Sequence, residues 1–396
     1  MRPTRRALAL GGTGLLLLLA ATTAQAGWLF VLSAGVLGLV LASVFIRHRL
    51  GAAAISRQLP QRARVGDPVR VGLTVANNGR GSLPLMLISD SFPAFEPVVV
   101  ACEPIPSGES AHIELVRAPT RRGVFAGGSV TLTAAAPYGV LRSAKTLKVD
   151  SSITVVPQWV DLPTWPILEP SSFPSDVLHE RARTGAGEEY LGVRDYRPGD
   201  PRRWVHWRSS ARAGRLVVRE YEEETASRVA LVLAGADVGD PPDSAFEALV
   251  SGMASIALYA LVTGHPVDLL AVGADNEVME LSGPDRTATL EWLAHVQPRD
   301  VSLAAPVARA LQRLRRRGTV VMFVPSRGQA ATSLEPALNQ VQSSGSRAAA
   351  VVARASTWGT GVASAEETHL LQRLPTGRAG VRTVGYGEDL LKCLLH

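Results

Sequence analysis

The chain changes hydrophobic period four times. From Ala7 to Ala24 it is apolar apart from Thr13, Thr22 and Thr23, and from Trp28 to Ile46 it is apolar again apart from Ser33 and Ser43. Each run is close to the roughly 20 residues an α-helix needs to cross a hydrocarbon core of about 30 Å. Gln25, Ala26 and Gly27 separate them. After Arg57 the period drops to two. Val69 to Val75 alternates, and Asn77-Asn78-Gly79 follows as a turn signal. Leu83 to Ser89, Ala111 to Val116, Ser129 to Thr133 and Ile153 to Val156 are further strand candidates. Short strands at this spacing predict a small antiparallel β-sandwich over residues 56–157.

Residues 158–184 hold Pro163, Pro166, Pro170 and Pro174 and no sustained period. They read as an extended linker, tacked down by Trp159 and Trp165. From residue 225 to 396, buried-type strands alternate with helical stretches. The strands are Arg228 to Ala234, Val267 to Val272, Val278 to Leu281, Thr319 to Val324, Arg347 to Ala353 and Arg382 to Val384. The longest helix is Phe246 to Thr263. This alternation predicts a doubly wound α/β domain. The fold class is therefore multi-domain: a transmembrane helical hairpin over 1–55, the β module, the linker, a charged stretch over 185–224, and the α/β domain.

Charge orients the hairpin. Arg2, Arg5 and Arg6 precede the first run, and Arg47, Arg49 and Arg57 follow the second. The positive-inside rule then puts both ends, and the soluble domains, in the cytoplasm of a two-pass membrane protein. A rival reading takes Ala24-Gln25-Ala26 as a signal-peptide cleavage site. Cys102 and Cys393 form no metal pattern or disulfide framework and read as free thiols in a reducing compartment. The formal charge is +6, yet Lys145, Lys148 and Lys392 are the only lysines. The arginine excess is spread along the chain, so charge alone gives nucleic-acid binding little support.

The stretch from Gly185 to Glu224 concentrates Arg, Trp, Tyr and acidic residues. Arginine stacks on aromatic faces and pairs bidentately with carboxylates, as lysine does not. Asp200 as cap, Pro201 as first residue and Gly214 as stop predict a helix over Arg202 to Ala213. Trp204, Trp207 and Ala211 would share one face of it, and Arg208 and Arg212 an adjoining one. Two readings stay open: the arginines lock two domains together through acids such as Glu220, or they present a binding surface. A hydrolase built on Asp200, His206 and the arginines is a third. It lacks a nucleophile, because Ser209 and Ser210 have no G-x-S-x-G setting and neither cysteine has a nearby histidine. A Walker loop is also missing.

The ordered residues Glu189-Tyr190, Arg194-Asp195-Tyr196, Pro198-Gly199-Asp200, Arg203, His206-Trp207-Arg208, Ser210-Ala211-Arg212, Gly214, Leu216 and Val218-Arg219-Glu220 resemble the motif of the family catalogued as domain of unknown function 58. Ala136-Pro137-Tyr138-Gly139-Val140 resembles its Pro-aromatic-Gly turn, with Ala136 where Asp is usual. The resemblance implies a C-terminal domain like von Willebrand factor type A. It also implies the company of MoxR-type AAA ATPases and transglutaminase-like membrane proteins, hence a non-enzymatic scaffold or adaptor. Type A domains carry an Asp-x-Ser-x-Ser metal site after the first strand. Here the chain reads Ala234-Gly235-Ala236-Asp237-Val238, and Pro325-Ser326-Arg327 after the later strand. A hard cation needs several oxygen ligands, so no metal or other cofactor is expected. The candidate site is Glu189, Tyr190, Arg194, Tyr196, Gly199, Asp200, Arg203, His206, Trp207, Arg208, Ser210, Arg212, Arg219 and Glu220.

Overall fold

A computed structural model of the chain describes residues 2–3, 5–45, 50–135, 141–168, 189–196, 205–222, 227–236, 238–239, 243–273, 275–314, 318–358, 364–374 and 380–395. The chain divides into two compact units. One is Met1–Gln158 with Leu293–His295, and the other is Trp159–Trp292 with Val296–His396.

The first unit opens with β1 (Arg2–Pro3), α1 (Arg5–Ala24) and α2 (Gly27–Phe45). Gln25 turns the chain between the helices at φ 48°. Small residues let the helices approach closely, as in membrane helix pairs. A Cβ on Gly14 would lie 2.8 Å from the Leu37 side chain. Ser33 Oγ donates to Gly14 O at 2.9 Å, and Ala21 is fully buried between the helices. Leu16, Trp28 and Val31 stay exposed. Ala7–Ala24 is long and apolar enough to cross a bilayer, and the apolar helix Gly27–Ala42 is shorter.

The β module follows. Its strands are β2 (Ala53–Gln58), β3 (Arg62–Arg64), β4 (Val69–Asn77), β5 (Met86–Ser91), β6 (Val98–Cys102), β7 (Ser110–Arg117), β8 (Gly123–Ala126), β9 (Ser129–Ala135), β10 (Leu141–Lys148) and β11 (Ser152–Val156). They form sheets in the orders β1-β10-β9-β5-β6, β2-β4-β7 and β3-β11-β8. The first two are antiparallel, but β3 and β11 run parallel. That departs from the antiparallel expectation. The two strands lie at opposite ends of the module's sequence, so a crossover can join them in parallel, as a tight hairpin cannot. Alternation along β4 buries Val71, Leu73 and Val75 completely. Leu73 and Val75 share a core with Met86 and Ile88 of β5 and Leu132 of β9.

A second buried layer is ionic. Asp90 is fully buried and accepts from both Arg57 and Arg117, the latter at 2.6 Å. Arg57 also donates to Ser151 Oγ at 2.8 Å. The two guanidinium groups lie 4.9 Å and 4.8 Å from the ring centres of Phe92 and Phe95. Burial lowers the pKa of Arg117, and the neighbouring Asp90 opposes that fall. Arg57 therefore belongs to the module's interior and drops out of the charge flank that orients the hairpin.

The second unit starts with the described part of the linker. Trp165 is fully buried, Val160 N donates to Ser255 Oγ at 3.0 Å, and Arg347 Nη1 donates to Ile167 O at 2.7 Å. Next come β12 (Glu189–Asp195), α3 (Trp207–Ala213) and β13 (Val217–Glu222). The remaining elements are β14 (Val229–Leu233), α4 (Ala245–Val262), β15 (Val267–Val272), β16 (Val278–Ser282), α5 (Arg286–His295), α6 (Ala304–Arg313), β17 (Thr319–Pro325), α7 (Gln329–Thr332), α8 (Leu334–Ser343), β18 (Arg347–Ala353), α9 (Ala355–Trp358), α10 (Ala365–Arg373), β19 (Val381–Val384) and α11 (Leu390–Leu395). Six strands lie in the order β16-β15-β14-β17-β18-β19, all parallel except β16. Every residue of β14, β15 and β17 is buried. Strands covered by helices on both faces read as continuous apolar runs for this reason. Helix α4 is as apolar as a membrane span, but 67% of it is buried, as a core helix requires. The strand order reverses between β14 and β17, and their carboxyl ends mark the switch point.

Candidate functional site

The motif folds as a two-stranded ribbon carrying a short helix. Strand β12 pairs antiparallel with β13, in register Tyr190↔Tyr221, Gly192↔Glu220, Val193↔Arg219 and Arg194↔Val218, with a bulge between Tyr190 and Gly192. The pairing runs on through Tyr196 N, which donates to Leu216 O at 2.9 Å. Val205 then bridges Val218, and His206 N donates to Val217 O at 2.8 Å. That bridge holds the backbone extended up to His206, so α3 begins only at Trp207. The expected helix over Arg202 to Ala213 is corrected to Trp207–Ala213. Asp200 is too far upstream to cap it. The cap is His206, whose Nδ1 accepts from Ser209 N at 3.2 Å. Gly214 ends the helix in the left-handed region at φ 66°, as its position predicts.

Ser210 ties the helix to the ribbon. It is buried, its Oγ accepts from Val217 N at 2.9 Å, and the same Oγ donates to Val217 O at 3.3 Å. Val205, Val217 and Val218 are buried beneath it. At 100° per residue, Arg208 and Arg212 point away from Ser210. Both are exposed, and among the described residues neither has an ion-pair partner. Trp207 is 67% exposed, so its ring is not packed into the fold. Arg215 pairs with Asp195 at 3.1 Å, and both are exposed.

Of the predicted site residues, Glu189, Tyr190 and Arg194 lie on β12, Tyr196 just beyond it, and Arg219 and Glu220 on β13. His206, Trp207, Arg208, Ser210 and Arg212 form the helix and its cap. Gly199, Asp200 and Arg203 lie outside the described residues, as do Trp204, Pro201, Asp237 and the turn 136–140. Because His206 Nδ1 already accepts a backbone N–H, its neutral ring carries the proton on Nε2. A general base or metal ligand there would first have to give up the cap.

At the switch point, a different pair of residues governs the space. Gly235 has φ 139°, and a Cβ on it would lie 2.1 Å from the Pro325 ring. The proline ring therefore packs directly on the backbone that follows β14. Gly235 is also bridged to Arg299 by hydrogen bonds of 2.9 and 2.8 Å. Past Pro325, buried Ser326 donates to the buried Glu367 carboxylate at 2.9 Å and accepts from Ala355 N at 2.8 Å. Ser356 Oγ donates to the same carboxylate at 3.1 Å. Glu367 thus ties the ends of β17, α9 and α10 together. Beside it lies a cavity of about 240 Å³ lined by Arg327, Thr332, Glu335, His369 and Arg373. Nothing in the local sequence marks Ser326 and Glu367, because only the sheet order brings them together. Among the described residues, no group of three or more His, Cys, Asp or Glu is placed to hold a metal ion. Both cysteines are free thiols. Burial pushes the Cys102 thiol up, and burial with Glu388 pushes Cys393 up to about 11, so neither ionises at neutral pH.

Residues 192–353 match the model of the family described as "Protein of unknown function DUF58", so this stretch carries that family's sequence pattern. The uncharacterised protein YeaD of Bacillus subtilis is 27% identical over 117 residues, which cover 30% of this chain and 28% of YeaD. Among solved structures, the CARDB domain of a Pyrococcus furiosus protein is 13% identical at a TM-score of 0.20, over 26% of this chain and 91% of that one. The Pseudomonas fluorescens alkylpurine DNA glycosylase AlkC is 10% identical at a TM-score of 0.16, over 30% of this chain and 38% of that one.

Proposed function

We propose that this chain is a membrane-anchored, non-enzymatic adaptor whose helix α3 docks a protein partner. The observation that carries the proposal is the exposure of Trp207 beside the outward Arg208 and Arg212. Tryptophan and arginine are the residues most enriched at binding hot spots. Exposed arginines with no acidic partner among the described residues support the docking surface over the domain lock. The hydrolase reading gains nothing, since His206 is occupied as a cap and no ionisable thiol is available.

The family resemblance makes a MoxR-type AAA ATPase the first candidate partner, with a transglutaminase-like membrane protein as the second. The pairing of β1 with β10 supports a two-pass anchor, because it leads both ends of the hairpin into one module. The arginines at the start of the chain support a cytoplasmic module. The strand order, with its antiparallel third strand, supports a fold like von Willebrand factor type A. Two antiparallel sheets sharing one core support a sandwich in the β module.

The test is affinity capture of the full-length protein from cross-linked membranes, comparing wild type with Arg208→Ala and Arg212→Ala. The variants should lose the partners that wild type recovers. Equal recovery would sink the docking role. Stacking of Trp207 and the arginines on single-stranded nucleic acid is the second reading. It requires binding that weakens steeply with salt.

A further inference from the structure

The membrane end of the β module can be located from the chain itself. Strand β1 pairs with β10 at Arg142 and Leu141, and α1 begins two residues after β1. Two residues of chain reach at most about 7 Å. At the other end of the hairpin, Leu50 is buried with Leu83, Met86 and Cys102. Phe45, the last residue of α2, is five residues away, a reach of at most about 18 Å. Lys145 Nζ donates to Gly51 O at 2.8 Å where the chain enters the module. Both hairpin ends are therefore tethered to the same end of the five-stranded sheet.

That end is unusually apolar for a surface. Leu85 is 61% exposed and Leu87 47%, and Val99, 59% exposed, continues the same face farther along the sheet. Leu87 pairs with Ala101 and Ser89 with Val99, so these side chains share the outer face of β5 and β6. Strand β5 is two strands from β10, which is about 10 Å at the usual strand spacing. Among the described residues, exposed Arg80 and Arg142 lie at this end, together with the exposed acids Glu103 and Glu109, and Asn77 N donates to Glu109 O at 2.9 Å there. Amphipathic surfaces of this kind settle at the boundary of headgroups and acyl chains, and their basic residues meet anionic lipid.

We propose that this end of the β module rests on the lipid surface of the membrane that anchors it. Leu85 and Leu87 enter the acyl boundary, and Arg80 and Arg142 meet anionic headgroups. The inference rests on the membrane anchor, and its test separates the two. A fluorescent amino acid is introduced singly at Leu85, at Val116 or at Leu19 in the full-length protein. The protein is reconstituted into nanodiscs containing nitroxide-bearing lipid. Val116 is 72% exposed and sits at the far end of the module, paired with Arg70. Leu19 faces outward on α1.

The probe at 85 should be quenched at least twofold more strongly than the probe at 116. Replacing anionic with zwitterionic lipid, or Arg80→Ala with Arg142→Ala, should reduce that quenching. Equal weak quenching at 85 and 116, with strong quenching at 19, overturns the proposal and keeps the anchor. Loss of quenching at 19 overturns both.

Discussion

Arg57 and Arg117 lie out of water in the β module, while Arg208 and Arg212 stand in it on α3. The same side chain does opposite work in the two places. In the module, one carboxylate and two aromatic rings surround the guanidinium groups, and the geometry is fixed. On α3, the arginines have no partner among the described residues, and a tryptophan beside them is exposed as well. In a chain that nearly dispenses with lysine, the number of arginines therefore says little. Pairing and burial decide which of them hold the fold and which are free to meet something else.

The largest expected effect is at Asp90. Removing one member of a buried ion pair leaves uncompensated charge, at a cost of about 3–5 kcal/mol. Asp90→Ala strands two buried guanidinium groups and should lower the unfolding free energy of the β module by that much, as read from a denaturant titration. A loss below about 1 kcal/mol would mean that water already reaches Arg57 and Arg117, and the contrast with α3 would collapse. The next largest is at Ser210. Ser210→Ala takes away the acceptor for Val217 N–H, and an unmet buried donor costs about 1–3 kcal/mol. Hydrogen exchange should accelerate at Val217. An unchanged rate would show that α3 is not held to the ribbon in this way.

The sheet domain was far more legible than the motif. Val229–Leu233 and Arg347–Ala353 carry long apolar runs because neighbours and helices bury them, and such runs are visible in sequence. Strands β3 and β8 are three and four residues long and show no alternation to read. In the motif, Asp200-Pro201 gives a valid start signal, but the bridge between Val205 and Val218 takes Val205 out of the helix, which begins at Trp207. Histidine then caps where serine or aspartate is usual. Tertiary pairing overrides a local signal there. Arg57 misleads in a similar way: it follows an apolar run and reads as a topology flank, yet a carboxylate on another strand claims it. Ser326 and Glu367 meet only through the order of the strands.

A third effect sharpens the comparison by being nearly absent. Arg208→Ala, Arg212→Ala and Trp207→Ala should each change stability by no more than about 0.5 kcal/mol, as exposed substitutions do. The same variants should lose partner capture. A drop above about 1 kcal/mol in any of them would return the motif to the role of an internal lock.

The smallest effect lies between the two extremes. Glu280 on β16 accepts from Arg309 Nε at 2.8 Å, Arg309 Nη2 at 3.0 Å and Arg313 Nη2 at 2.5 Å, near the surface of the sheet domain. These bonds hold its carboxyl at about 2, against about 4.3 for an unperturbed glutamate. Because the folded value is the lower one, the pair stabilises fully only above about pH 4.3. Its contribution fades as pH falls toward 2. Water and salt screen it, so Glu280→Gln should lower the midpoint of thermal unfolding by less than about 3 °C at pH 6. The gap should narrow on acidification below pH 4 and again at high salt. A gap that stays constant across pH would assign the loss to packing, and the surface arginines would then resemble those of α3 more than those around Asp90.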